Sequence, residues 1–168
     1  MATVYTPLPI GSAQNDPDIS AGRMQRVNGT NFARLVVAFD AATKWTVFWS
    51  TPVIDYAGGT ITARIRWSAA TATSGVVRWG IQVAAVTPET DSGSLASKAF
   101  ATAQTVNDTH LGTTAQRMME TTIAITNLDT AANGDQLYVS FYRDAANAAD
   151  TMTGNAYLEQ LTLEWSNV

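Results

Sequence analysis

The strongest constraint on the fold is an alternation of apolar and polar residues with a period of two, which begins at Ala33. Apolar side chains at every second position share one face of a strand, whereas a helix would place them at a spacing of about 3.6 residues. The alternation therefore predicts about eight half-buried strands. They are 33–39, 45–50, 61–67, 77–85, a weaker 99–106, 119–125, 137–142 and 161–165.

The segments between these strands have the residues of turns. Examples are Ala57-Gly58-Gly59 and Asn133-Gly134-Asp135, and only 113–118 is predicted as a short helix or turn. Several strands joined by turns predict an all-β protein, an antiparallel two-sheet sandwich of the jelly-roll type. An immunoglobulin-like sandwich is the main alternative, but the chain has no cysteine for its Cys-Trp-Cys signature.

The first thirty or so residues differ from the rest of the chain. Pro7, Pro9 and Pro17 interrupt them, and no apolar period is sustained. The division predicted from this change is an extended N-terminal arm, 1–31, followed by a β-sandwich domain, 32–168.

The charge and composition exclude several classes of partner. A net charge of -4 argues against broad attraction to nucleic acid or to anionic lipid. No stretch approaches the roughly 20 apolar residues that span a bilayer, so no membrane partner is predicted. No secretory signal is visible in Met1 to Ile10, and we expect the protein to be made in the cytoplasm.

A search for catalytic residues is mostly negative. His110 is the only histidine, it lies in a polar stretch, and no nucleophile motif adjoins it. Two carboxylates suffice for glycoside cleavage, and Glu120, Glu159 and Glu164 lie on or beside strands, but the sequence does not show that any pair converges. We therefore predict that the protein is not an enzyme.

The loop from Asn127 to Asp135 resembles a calcium loop only superficially. Ala131 occupies a ligand position and Tyr138 replaces the terminal glutamate of an EF-hand. A looser site shared with Asp144 or Asp150 stays open as an alternative, although aspartates of this kind are ordinary turn formers. No metal or cofactor is predicted.

Several positions that should face outward are more apolar or more basic than a solvated face requires. Phe48, Tyr138 and Tyr142 lie opposite core positions, so either the arm or a long loop covers them, or they form a subunit interface. Arg64, Arg66 and Arg78 would share one face if their strands are neighbours. The candidate interface residues are Tyr5, Leu8, Ile10, Phe48, Arg64, Arg66, Arg78, Tyr138 and Tyr142.

The third strand and the segments after it resemble a known group of jelly-roll modules. The residues that carry the likeness are Ile65-Arg66-Trp67, 75–80, 137–144, Asp150-Thr151, Gly154-Asn155-Ala156, Leu158, Leu161, Leu163 and Trp165. In the pattern of these residues the chain is similar to jelly-roll structural proteins of tailed phages.

The resemblance implies a non-catalytic virion structural protein, of the capsid decoration, cement or head-fibre type. It implies an oligomer, commonly a homotrimer, that binds the major capsid protein or other virion proteins, with the arm lacing onto a neighbour. The protein would then be assembled in the host cytoplasm and function in the virion.

The alternative function is a carbohydrate- or receptor-binding jelly-roll module of a phage tail fibre or baseplate. Jelly rolls host lectin-like sites, and exposed aromatic rings stack on sugars as readily as on protein, so a glycan is a further candidate partner.

Overall fold

Two antiparallel sheets make up the molecule in a computed structural model that describes residues 2–15 and 22–167. The described residues form eleven strands and two 3-10 turns, Ile10–Ser12 and Leu95–Ser97, and 113–118 contains a turn but no helix. The strands are β1 Thr3–Leu8, β2 Gln14–Asn15, β3 Arg23–Asn28, β4 Ala33–Phe39, β5 Trp45–Pro52, β6 Ile61–Ala69, β7 Val76–Val86, β8 Gln104–Thr109, β9 Met119–Ile125, β10 Gln136–Arg143 and β11 Ala156–Ser166.

The order of the strands gives a two-sheet sandwich. The six-stranded sheet has the order β3-β4-β11-β6-β9, and β1 also pairs with β11. The five-stranded sheet has the order β2-β5-β10-β7-β8, and every recorded strand pair in both sheets is antiparallel. The predicted all-β jelly-roll sandwich is thus confirmed.

The core lies between the sheets and is centred on large aromatic side chains. Trp79 packs edge-on against Phe39, with ring centroids 5.4 Å apart, and stacks on Phe141 at 5.2 Å. Trp67 meets Trp79 edge-on at 6.0 Å. All four side chains are fully buried, and such pairs contribute about 0.5–1.5 kcal/mol each beyond the area they bury.

A buried ion pair fastens the segment that follows β10. Arg143, at the end of β10, donates to Asp150 through two nitrogens at 2.9 and 2.7 Å. The same guanidinium donates to the carbonyl oxygens of Met152 and Gly154 at 2.6 and 2.7 Å. Asp150 also accepts from the backbone N–H of Arg78, so the pair joins three parts of the chain.

The N-terminal segment belongs to the sandwich. β1 pairs with β11 from Thr3↔Ser166 to Leu8↔Leu161, and β3 pairs with β4 along its whole length. The prediction of a separate arm does not match this pairing. β3 is an edge strand whose side chains are mostly exposed on both faces, so it shows no apolar alternation. Asp16–Ala21, which include the predicted arm residue Pro17, lie outside the described residues.

The two ends of the described chain meet through the β1–β11 pair. The backbone N–H of Ala2 donates to Oδ1 of Asn167 at 2.7 Å, and the N–H of Asn167 donates to the carbonyl of Ala2 at 3.0 Å.

Candidate functional site

Three aromatic rings lie on the outer face of the five-stranded sheet. Phe48 on β5 and Tyr138 and Tyr142 on β10 alternate with side chains of the buried core, as the period of two requires. The register fixes their neighbours across the sheet. Tyr138 lies between Ser50 and Ala84, Ser140 between Phe48 and Gln82, and Tyr142 between Thr46 and Gly80.

A loop, 87–103, folds back over this face. β8 pairs with β7 only up to Ile81, so the edge of β7 beyond that residue is free to bind other groups. The N–H of Ala101 donates to the carbonyl of Val83 there, at 2.8 Å. The loop thereby brings the Phe100 ring onto the Phe48 ring, stacked with centroids 6.0 Å apart and an interplanar angle of 24°. Of the two alternatives for Phe48, cover by a long loop of the same chain is the one observed.

A cleft remains between the loop and the sheet. It encloses about 150 Å³ and is lined by Ala84, Leu95, Lys98, Phe100 and Tyr138. Its floor is the small, buried Ala84, and most of its wall is apolar or aromatic. A second depression of about 390 Å³ follows the loop backbone from Asp91 to Ala99 and shares Leu95 and Lys98 with the cleft.

One charged side chain, Lys98, lines the cleft and is bonded to an aspartate. The Lys98 ammonium donates to Oδ2 of Asp129 at 2.9 Å, and this bond raises the pKa of Lys98 above its usual value. The same carboxylate oxygen accepts from the N–H of Ala85 at 3.0 Å, which fixes it to the free edge of β7. Asp129 and Thr130 both adopt the left-handed region, with φ of 52° and 59°, a costly conformation for residues other than glycine.

Tyr142 occupies the next part of the same face but is largely enclosed. Its ring lies flat over Gly80, where any Cβ would overlap it, and the Lys44 ammonium sits 3.7 Å from the ring centroid. Burial, and next the nearby Asp144 carboxylate, raise the pKa of the Tyr142 hydroxyl. Among the three rings, Tyr138 is therefore the one that lines open space.

Arg64, Arg66 and Arg78 are expected to share one face only if their strands are neighbours, and β6 and β7 are not neighbours. Arg78 lies on the outer face of the five-stranded sheet, where it donates to Asn107 and Thr105. Arg64 and Arg66 lie on the outer face of the six-stranded sheet, because β6 and β7 are consecutive along the chain but belong to different sheets.

The two arginines of the six-stranded sheet are paired with glutamates. Arg64 donates to Glu164 at 2.5 and 3.1 Å and to Glu120 at 2.6 Å, and Arg66 donates to Glu120 at 2.8 Å. The exposed Tyr5 ring stands beside them at a shallow depression of about 230 Å³. On this face the charges of the two arginines are balanced by those of the two glutamates.

Two further candidate interface residues belong to the interior. Leu8 is 3% exposed and is part of the core, and Ile10 packs against that core. Neither side chain is available to a partner in the way the sequence suggested.

The candidate catalytic groups are engaged in structural contacts. Hydrogen bonds from Arg66 and then Arg64 lower the pKa of Glu120, the opposite of what a general acid requires. Glu159 accepts from Arg34 and from the Ser68 hydroxyl. His110 is buried, and its Nδ1 accepts from the N–H of Gly112.

The aspartates considered for calcium make separate local contacts. Asp135 accepts from the N–H of Ala132, Asp129 is held by Lys98, and Asp150 is held by Arg143. Within residues 2–15 and 22–167, no group of three or more histidines or acidic residues is placed to hold a metal ion. In the same ranges, no helix is long and apolar enough to cross a membrane.

Comparison with known proteins gives matches only at the level of structure. No protein-family model matches the sequence, and no curated protein matches it. A family 35 carbohydrate-binding module from Clostridium thermocellum is 11% identical, with a TM-score of 0.51, over 97% of this chain and 98% of that one.

Two other solved structures match equally well. A family 11 carbohydrate-binding module from Clostridium thermocellum, in complex with a β-1,3-1,4-mixed-linked tetrasaccharide, is 11% identical over 97% of this chain and 96% of that one, with a TM-score of 0.51. A family 35 module from an environmental isolate is 10% identical over 90% of each chain, with a TM-score of 0.51. At such low identity these likenesses show a shared sandwich fold.

Proposed function

We propose that this chain is a non-catalytic glycan-binding module, and that its site is the cleft between Tyr138 and the loop 87–103. The observation that carries the proposal is the combination in one cleft of aromatic walls with a lysine. Tyr138, Phe100 and Lys98 line the space, and Asp129 bonds to the Lys98 ammonium.

This combination suits the chemistry of a sugar. A pyranose presents C–H groups on its faces, which pack against aromatic rings, and hydroxyls on its edges, which both donate and accept hydrogen bonds. The Tyr138 and Phe100 rings supply apolar surface of that shape. The Lys98 ammonium lines the same space and can donate a hydrogen bond to a sugar hydroxyl.

Two further observations support the proposal. The fold is that of the matched structures named as carbohydrate-binding modules. The glutamates that could serve a hydrolase are bonded to arginines on the opposite face of the sandwich, away from this cleft. That the module belongs to a phage tail fibre or baseplate rests on sequence resemblance alone and stays a prediction.

The proposal is tested by glycan binding with a matched pair of variants. Wild-type protein is screened on a glycan array, and the best ligand is titrated by calorimetry against Tyr138→Ala and Tyr5→Ala. Tyr138→Ala should weaken binding at least about tenfold, because a central aromatic contact is typically a hot spot. Tyr5→Ala removes an exposed ring from the other sheet and should bind like wild type. No binding on the array, or equal losses in both variants, would refute the proposal.

A second candidate function is self-assembly, as in the predicted homotrimeric decoration protein. The observation in its favour is the hairpin of β3 and β4, which leaves three large apolar side chains exposed: Met24 at 44%, Phe32 at 70% and Leu35 at 47%. Light scattering after size exclusion tests it. An oligomer that Phe32→Ser and Leu35→Ser together convert to a monomer would support assembly through this hairpin, and a monomeric wild type would exclude it in solution.

A further inference from the structure

The cleft is closed on the side of β7. Beyond Ile81 the edge of that strand is bound by Ala101 of the loop at Val83, and by Asp129 at Ala85. Asp129 belongs to the connection between β9 and β10. Since Lys98 is also bonded to Asp129, the loop is attached to this edge at two points. A ligand that crosses the sheet from β5 over Tyr138 and Ala84 therefore meets the loop, which forms a wall on the far side of β7.

The cleft is also closed along β10 in the direction of Tyr142. One step along β10 from Tyr138, on the same face, lies Ser140, which is 1% exposed and sits between Phe48 and Gln82 in the register. The stacked rings of Phe48 and Phe100 stand at this step. They separate the cleft from the Tyr142 end of the face, where Lys44 lies over the ring. A sugar chain cannot run lengthwise through this barrier.

The volume of the cleft matches one ring. A protein cavity of about 150 Å³ holds a single benzene molecule, and pockets for larger ligands begin at about 300 Å³. The cleft under the loop measures about 150 Å³. It has room for one pyranose between Tyr138 and Phe100.

We infer that the cleft binds the terminal residue of a glycan chain rather than a segment from the middle of one, and that Phe100 is the residue that imposes this choice. The inference rests on the proposed function and narrows its ligand class to chain ends. The remainder of the ligand would leave the cleft on the open side towards the exposed Ser50 on β5.

The test counts binding sites per gram of polysaccharide. The probes are mixed-linkage β-1,3-1,4-glucan, xylan, mannan and β-1,4-galactan, each before and after limited acid hydrolysis. If only a terminal ring fits the cleft, each chain end is one binding site. Hydrolysis that increases the number of chain ends about tenfold should then raise the number of binding sites per gram of a bound polysaccharide about tenfold. A capacity that does not change with cutting would overturn the inference and leave the proposed function standing.

Phe100→Ala supplies the matched variant, with Thr90→Ala as the control, because Thr90 is an exposed residue of the same loop that does not line the cleft. Removal of the Phe100 ring opens the barrier beside Phe48, so this variant should bind uncut polymer at a higher capacity than wild type. Thr90→Ala should keep the dependence on chain ends. If Phe100→Ala binds with wild-type capacity, Phe100 does not impose the choice. If neither cut nor uncut probes bind any variant, the proposed function itself fails.

Discussion

The buried pair of Arg143 and Asp150 gives a sharp prediction for Asp150→Asn. The side chains are 0% and 1% exposed, and the substitution keeps the shape of Asp150 while it removes the negative charge. Arg143 would retain its bonds to the carbonyls of Met152 and Gly154. Asparagine has one side-chain oxygen and no charge, so at most one of the two bonds at 2.9 and 2.7 Å would persist, and it would be to a neutral acceptor. Removal of one partner from a buried pair costs about 3–5 kcal/mol, because the other charge stays buried without compensation.

For a domain of this size, each kcal/mol lowers Tm by about 2–4 °C, so we expect a fall of about 6–20 °C. Thermal and urea unfolding followed by circular dichroism measure the change. Glu120→Gln is the control, since its arginine partners are exposed and solvent screens the pairs, and it should have a much smaller effect. An Asp150→Asn protein that unfolds like the control would show that Arg143 is not held as a buried charge and would refute the reasoning.

Three further changes test other parts of the structure. Gly80→Ala should destabilise the fold by about 1–3 kcal/mol, because its Cβ would displace the Tyr142 ring, whereas Gly93→Ala, with open space at its Cβ, should be nearly neutral in urea unfolding. Burial raises the pKa of the Asp108 carboxyl in the folded protein above 3.8. The folded form therefore holds this proton more tightly than the unfolded form, and the free energy of unfolding should fall as the pH rises from below 3.8 through the higher pKa of the folded state. Asp108→Asn should remove this contribution to the pH dependence of the free energy of unfolding, and an unchanged pH dependence would contradict the raised pKa. Deletion of 1–30 should abolish the cooperative thermal transition, because it removes β1 to β3, and a folded truncated domain would contradict the observed pairing.

The strands from Ala33 onward could be predicted because each buries one face in the core, so apolar residues recur at every second position. Each of the eight predicted segments overlaps a strand, and the bounds of β4 and β9 agree with the prediction. β11 is longer than predicted because the register shifts between Leu158 and Gln160, which breaks the alternation of its first half. The segment 99–103 was placed in β8 but instead runs along the free edge of β7.

The N-terminal strands could not be predicted from the same signal. β3 is exposed on both faces, so no periodic burial acts on its sequence. In β1 the buried side is occupied by Val4, Thr6 and Leu8, a pattern that is too short and too polar to stand out. Pro7 argues against a strand in the sequence, but the strand continues through it, since proline is tolerated at an exposed position of an edge strand.

Only the strand residues of the candidate site could be predicted from the sequence. Phe48, Tyr138 and Tyr142 lie opposite core positions, so their placement on an outer face follows from the period of two. The other half of the cleft comes from Leu95, Lys98 and Phe100, which belong to a loop without any period. Where that loop folds depends on which edge of β7 is left free, and only the strand order determines that.

The hydrogen bonds between Ala2 and Asn167 also place these two positions, near opposite ends of the described chain, side by side. A linker of a few residues could join these positions, and new ends could be opened at Gly58 and Gly59, which are exposed and have open space around them. Such a circular permutant would keep every strand pair of the sandwich while changing only the order in which the strands are made. For the same reason, the whole sandwich could be grafted into a surface loop of another protein, since the chain would enter and leave it at one point.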